Sequence, residues 1–346
     1  MIGIPLPAAV LPSSMREIAV LRTLGRLGVV AGPVLFAFIM PDLRRSARYE
    51  IMQRLIKRGL VWRAETPATM APAAELATRP LRNAGVYGLT GDGKQHLDAL
   101  QAEPQGDSFN RLLARDRRAP PPGAAALVAD TLIAAWCASV IDAARQSPLL
   151  VGVTCQARYV TVEGGAGQAQ QVIGAVLSLA FAAQPREMTR VPWQIPWMDG
   201  EAPATGVRIV RFALEVDTGY ATTASIIQQA RLYAILNQQN YYARLFGGAI
   251  RPVLITPPGD RANQVAAAWR DGWPDTPAVI SSTIKAQHPE YGALWGTYYT
   301  IKDTPPQQQP LLTGLVPTVE QWARLVRAAT PQPPAIAGRR GGSVAG

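Results

Sequence analysis

Two acids stand two positions apart in RFALEVDTG, residues 211–219. Successive side chains of a β-strand face opposite ways, so Phe212, Leu214 and Val216 share one face and Glu215 and Asp217 the other. The two acids then lie roughly 7 Å apart along the strand. Asp199 precedes Glu215 by sixteen residues, with an apolar stretch between them. In the layout Asp-x(n)-Glu-x-Lys, the carboxylates hold magnesium or manganese and the lysine helps to activate water. Here Asp217 occupies the lysine position, and no lysine occurs between Lys94 and Lys285. Gln228 and Arg231 are nearby, but a guanidinium stays protonated and cannot act as a base. Two readings remain open. Asp199, Glu215 and Asp217 are the metal ligands and catalytic groups of a nuclease, or the acids are structural, with Asp217 capping the turn at Gly219.

A second constellation is cationic. Residues 44–63 carry Arg44, Arg45, Arg48, Arg54, Lys57, Arg58 and Arg63 against one acid, Glu50. Ile51, Met52 and Leu55 recur at helical spacing, so they face a core and leave the cations outside. Arginines in the first turns of such a helix can enter a major groove and contact phosphates or guanine edges. Arg63 and Arg79 would extend this DNA-binding surface along a β-ribbon. The alternative is a solvated basic face on a module that docks protein.

The elements that must position these groups announce themselves at their ends. Ser14 and Glu17 form an S-x-x-E capping box ahead of Ile18, Leu21 and Leu24. Pro33 suits the start of a short helix over Pro33–Met40. Asp42 or Ser46 starts the basic third helix, and Gly59 stops it. Leu60–Trp62 and Gly85–Leu89 predict two paired strands, followed by a helix from about Asp92 to Ala102. Three helices and then a β-ribbon predict a winged helix-turn-helix over residues 14–103. Gly88–Lys94 fits the phosphate-cradling pattern G-x-x-x-x-G-K, but Gln95 stands where a Ser or Thr would hold magnesium. That segment is better explained as the ribbon's return and the next helix's N-terminus.

Residues 104–123, with the run ARDRRAPPPG, are a linker by composition. A helix is then predicted over Ala124–Arg145. Two β-rich runs follow, Leu149–Val162 and Val172–Ala182, with a turn at Gly164–Gly167 between them. After the Glu215 strand come a helix Thr223–Phe246, a strand Arg251–Thr256 and a helix Arg261–Trp269. Further strands are expected near Ala278–Thr283 and Leu294–Ile301, a loop at DTPPQQQP and a last helix over Val319–Ala329. This alternation predicts a mixed-sheet α/β domain over residues 124–330. The expected fold class is therefore a two-domain α/β (α+β) protein, with disordered ends at residues 1–13 and 331–346. Trp193 and Trp197 in VPWQIPWMDG are either packing residues or an aromatic surface for single strands.

Bulk composition narrows the classes. With 346 residues, 48% apolar and 17% charged, the chain has the makings of a globular protein. Its net charge of +10 favours polyanionic partners, and the excess is concentrated in residues 1–103, with 13 Lys and Arg against 8 Asp and Glu. The dominance of Arg suits phosphate recognition and equally fits a GC-rich genome. Cys137 and Cys155 lack metal-ligand or redox spacing and are expected to be buried thiols in a reducing compartment. Two histidines far apart, His96 and His288, support neither a histidine zinc site nor a Ser/His triad. No signal peptide or membrane-spanning run is expected, which predicts a cytoplasmic protein without membrane contact.

FALEVDTG, a helix with Arg231 and Tyr233, and then RPVLITPPGDR together resemble the C-terminal half of the replication-relaxation family. RYEIMQRLIKRGLV followed by VYGLTGDGKQHL is similar to that family's N-terminal half. The resemblance covers most of residues 14–270. It implies a winged helix joined to a restriction-endonuclease-like α/β domain, acting in replication, DNA relaxation or conjugative transfer of plasmids and other mobile elements. Glu215 and Asp217 match the family's E-x-D, and Asp199 loosely matches an acid on the preceding strand. QQARLY stands where the family's next helix often carries a lysine. Implied partners are double-stranded DNA, a relaxase or replication protein, and a second copy of the chain. No cofactor is needed for DNA binding, whereas a nuclease would use Mg or Mn. The leading expectation is selective double-stranded DNA binding by a mobile-element accessory protein. The alternatives are a metal-dependent DNA nuclease and a winged-helix transcription regulator with a dimerisation or sensor domain.

Overall fold

Ser14 and Glu17 do form a reciprocal cap. The Glu17 amide donates to Ser14 Oγ at 3.2 Å, and the Ser14 amide donates to the Glu17 carboxylate at 3.1 Å. This cap opens α1, Met15–Leu27. The computed structural model describes residues 14–65, 85–101, 124–145, 149–156, 160–163, 170–182, 195–198, 207–238, 240, 248, 250–282, 297–303 and 307–311. The expected linker, the Gly164–Gly167 turn, the Val319–Ala329 helix and both expected disordered ends lie outside the described residues.

After α1 come β1 (Val30–Ala31), α2 (Gly32–Ile39), α3 (Arg45–Lys57), β2 (Val61–Glu65), β3 (Gly85–Leu89) and α4 (Gly91–Gln101). Strand β1 was not expected, because two residues are too few to show an alternation. It joins an antiparallel sheet of order β1-β3-β2, with Val30 opposite Tyr87 and Trp62 opposite Gly88. Pro33 sits in the first turn of α2, where its missing N–H costs nothing. Gly59, at φ 70°, ends α3 in a conformation that L side chains avoid. A Cβ on Gly93 would lie 1.9 Å from the Leu60 carbonyl oxygen, and the Gly93 amide donates to Thr90 Oγ1 at 2.9 Å. Close packing at a helix start thus accounts for a glycine of the phosphate-loop look-alike.

The second half begins with α5 (Ala124–Arg145) and continues through β4 (Leu150–Gln156), β5 (Val160–Glu163), β6 (Gln170–Ile173), β7 (Ala175–Ala182) and β8 (Val207–Val216). Then follow α6 (Thr223–Gln238), β9 (Arg251–Thr256), α7 (Asp260–Gly272), β10 (Val279–Ser282), β11 (Thr297–Thr300) and β12 (Gln308–Pro310). Seven of these strands make one mixed sheet of order β12-β11-β10-β9-β8-β7-β4, and β5 pairs with β6 separately. Strands β4, β7 and β8 run antiparallel to one another, whereas β8, β9 and β10 are parallel and connected through α6 and α7. The expected DTPPQQQP loop contains β12. It pairs with β11 at Thr297–Pro310, and an edge strand tolerates a residue with no N–H to give.

The sheet separates two layers of helices, which makes the fold α/β. On one face Phe212 meets Trp136 of α5 edge-on, with centroids 5.7 Å apart. On the other, Ala213 packs among Ile226, Tyr233 and Trp269 of α6 and α7. The alternation read for residues 212–217 is therefore physical: Phe212, Leu214 and Val216 face the α5 side. Within α5, Ala126–Arg145 is long and apolar enough to cross a membrane by length and composition, and most of it is buried here. Burial on two sides explains why it lacks a polar stripe. One core cluster runs from Val20, Leu35 and Met52 through Trp136 and Val140 to Leu177 and Phe212. Arg145 ties α5 to α2 as well, donating to the Phe38 carbonyl at 3.0 Å with its guanidinium 5.1 Å from that ring's centre. Cys137 and Cys155 are free thiols that meet in this core with sulfurs 3.7 Å apart, and burial pushes the Cys137 thiol well up in pKa.

Candidate functional site

The cationic helix sorts its charges by where they end. Ile51, Met52 and Leu55 are buried, as the spacing predicts. Arg44, the N-cap residue of α3, and Arg45 and Lys57 within it are exposed, as is Arg63 on β2. Arg45 lies over the ring of Tyr49, 5.7 Å from its centre, and Tyr49 is itself 40% exposed. The other three cations of this helix are engaged internally. Arg48 donates to the carbonyls of Leu43 at 2.7 Å and Pro41 at 3.1 Å, closing the turn between α2 and α3. Arg54 and Arg58 both donate to the buried Glu17 carboxylate, at 2.9 Å and 3.3 Å. Glu17 thus caps α1 and holds α3 against it at once. The capping-box pattern identified this residue but gave no sign of its second role, which depends on helix packing. Arg79 lies outside the described residues.

The acidic end is built by the parallel connections. Strands β8 and β9 share a direction, so the residues just past their C-terminal ends must meet. Asp217 follows β8, and Arg261 stands in the first turn of α7 just after β9. Arg261 Nε donates to Asp217 Oδ2 at 2.5 Å, and Nη2 donates to Oδ1 at 2.8 Å and to the Ala221 carbonyl at 2.8 Å. The Gly219 amide also donates to Asp217 Oδ1, at 3.0 Å, with Gly219 at φ 85°. This is the turn cap considered for Asp217. The bidentate carboxylate raises the Arg261 pKa further.

Glu215 turns to the same side and finds different partners. Tyr233 donates its hydroxyl to Glu215 Oε1 at 2.6 Å, and the Gln229 side chain and the Gly174 amide also bond the carboxyl. Burial outweighs these three bonds and pushes the Glu215 pKa from 4.5 up to about 7. Gln229 and Tyr233 are four apart on α6 and hence on one face. Their spacing is legible in the sequence, where Tyr233 enters only through the family resemblance and Gln228 and Arg231 are the candidates set beside the acids. Arg231 is exposed, and Gln228 is likewise on the outer side. Gly174 must be glycine at this point, since a Cβ would come within 2.5 Å of the Leu214 carbonyl oxygen.

Asp199 lies outside the described residues. Its neighbour Met198 donates its amide to the Val153 carbonyl on β4 at 2.9 Å, and the adjacent Trp197 is half-buried against the core. A divalent cation needs several free carboxylate oxygens. Both Asp217 oxygens are engaged by Arg261, and Glu215 accepts from Tyr233 while burial disfavours its charged form. Among the described residues no group of three His, Cys, Asp or Glu could hold a metal ion. The described donors therefore do not fit a magnesium or manganese centre. No protein-family model, curated protein or solved structure matches the chain.

Proposed function

We propose that this protein binds double-stranded DNA through the exposed face of α3, as a replication-relaxation or transfer accessory protein of a mobile element. The observation that carries the reading is the exposure of Arg44, Arg45 and Lys57 above the buried Ile51, Met52 and Leu55, with Arg63 alongside on β2. The element order α1-β1-α2-α3-β2-β3 with an antiparallel β1-β3-β2 sheet supports reading residues 14–101 as a winged helix-turn-helix. In that reading α3 enters the major groove and β2–β3 is the wing. The run α5-β4-β7-β8-α6-β9, antiparallel up to β8 and parallel beyond it, supports an endonuclease-like scaffold for the second half. The commitments of Glu215 and Asp217 favour a non-cleaving role for that scaffold.

Fluorescence anisotropy with a labelled duplex at stepped salt concentrations tests the proposal. If each of the four exposed cations neutralises one phosphate, log affinity should fall against log salt with a slope of about −3.6. Reversing Arg44, Arg45 and Lys57 to Glu should remove binding. Duplex affinity unchanged by that reversal would defeat the assignment of α3. Footprinting confined to the protein's own promoter would instead favour a transcription regulator.

A further inference from the structure

The end of β8 is where an open α/β sheet ordinarily receives a ligand, and in the nuclease layout a metal ion would lie against its acids. Here a cation is already present, and it belongs to the chain. We infer that the Arg261 guanidinium is the resident cation of this site, a covalently attached replacement for a divalent metal that fastens the end of β8 to α7. Three observations support it. Its two donors take both oxygens of an Asp217 side chain that is only 8% exposed. The same guanidinium reaches the Ala221 carbonyl, so one group spans the strand end and the turn leading to α6. Arg261 also occupies the first turn of a helix, the end where the helix dipole disfavours a cation, and Asp217 offsets that penalty.

Charge balance points the same way. Asp217 and Arg261 cancel, with both Asp217 oxygens taken by the guanidinium. A divalent ion entering there would meet a fixed positive group and a carboxylate whose oxygens are already engaged. It would bind only by displacing the guanidinium. Arg261 is in this sense a positioning residue. It organises the turn 217–222 and takes part in no bond-breaking step.

Manganese titration of the full chain, read by calorimetry and by the shift in melting temperature, tests this independently of DNA binding. The wild-type protein should show no saturable site and no manganese-dependent rise in Tm. Arg261→Ala should melt lower, and millimolar manganese should restore at least half of that loss. Adding Asp217→Asn to the variant should abolish the rescue. Saturable manganese binding by the wild type that disappears in Asp217→Asn would overturn the inference, as would a folded Arg261→Ala chain indifferent to manganese. Should Arg261→Ala fail to fold, the wild type and Asp217→Asn titrations decide the matter by themselves.

Discussion

On α3, Arg44, Arg45 and Lys57 project into solvent, whereas at the end of β8 Glu215 and Asp217 turn onto Tyr233 and Arg261. Both regions show in the sequence as clusters of like charge. Only the first keeps its charge available to a partner. The second is consumed by residues that α6, α7 and the start of β7 bring to the end of β8. The difference lies in how much of each cluster its distant partners take: Glu17 engages Arg54 and Arg58 and leaves Arg44, Arg45 and Lys57 outside, while Arg261 takes both oxygens of Asp217. A run of like charges is therefore informative about binding only after its long-range partners have been subtracted.

The strongest way to break this comparison is to reverse the exposed cations. Arg44→Glu, Arg45→Glu and Lys57→Glu together should weaken duplex binding about a thousandfold, or about 4 kcal/mol, at low salt. Circular dichroism should be unchanged, because none of the three side chains is buried. The corresponding loss of charge at the acidic end, in Asp217→Asn, should leave duplex affinity within about twofold. Equal effects at the two ends would erase the distinction. Next in size is Glu17→Ala, which leaves the Ser14 amide without its carboxylate acceptor and Arg54 and Arg58 without their shared partner. Its expected cost is about 2–3 kcal/mol in urea unfolding. A cost below about 0.5 kcal/mol would show that Glu17 does not hold the two helices together.

Much of the scaffold was readable because local signals agreed with it. Ser14–Glu17, Pro33 and Gly59 mark helix ends by mechanisms that need no tertiary context, and all three act as expected. The face alternation of Phe212 to Asp217 likewise survived, since a period of two is a property of the strand itself. What escaped was non-local or too short. Strand β1 has two residues, and β12 lies in a Gln-Gln-Pro run with no apolar alternation. The shared core through α5 could not be foreseen from a linker-like composition before residue 124, because composition reports nothing about what packs on both sides of a helix. Tyr233 and Arg261 stand within the stretches that resemble the family, but their pairing with Glu215 and Asp217 was not legible: a strand-end acid does not specify which later helix will reach it.

A pH titration sharpens the acidic half of the comparison. Glu215 has its folded pKa raised from 4.5 to about 7, so between those values the folded chain keeps a proton that the unfolded chain has lost. Its stabilising contribution is therefore present near pH 4.5 and falls away as the pH rises through 7. A rise from 4.5 to about 7 is worth about 3 kcal/mol, and because the Glu215 residue is half-buried rather than sealed from solvent, the expectation falls to about 2 kcal/mol. Glu215→Gln keeps an acceptor for Tyr233 and cannot titrate. Relative to the wild type it should gain about 2 kcal/mol between pH 5 and pH 8 in urea unfolding. Parallel stability curves for the two proteins would mean that Glu215 ionises as freely in the folded chain as in the unfolded one.

The smallest predicted effect discriminates most finely, because it sets two arginines of one helix against each other. Arg45 and Arg54 are both on α3, and the Arg54 side chain is 53% exposed. Exposure alone would class them together as DNA contacts. Their hydrogen bonding separates them: Arg54 Nε is held by Glu17 across the helix interface, while Arg45 rests on the exposed ring of Tyr49. Arg45→Ala should therefore cost about tenfold in duplex affinity and leave stability within about 0.5 kcal/mol. Arg54→Ala should do the opposite, costing about 1 kcal/mol of stability while changing affinity by less than about threefold. A single pair of proteins, measured by anisotropy and urea unfolding, thus asks whether the destination of the guanidinium governs its use. If Arg54→Ala proves the weaker binder of the two, the internal bond to Glu17 is given up on contact with DNA, and the boundary between outward and inward charges must be redrawn within α3.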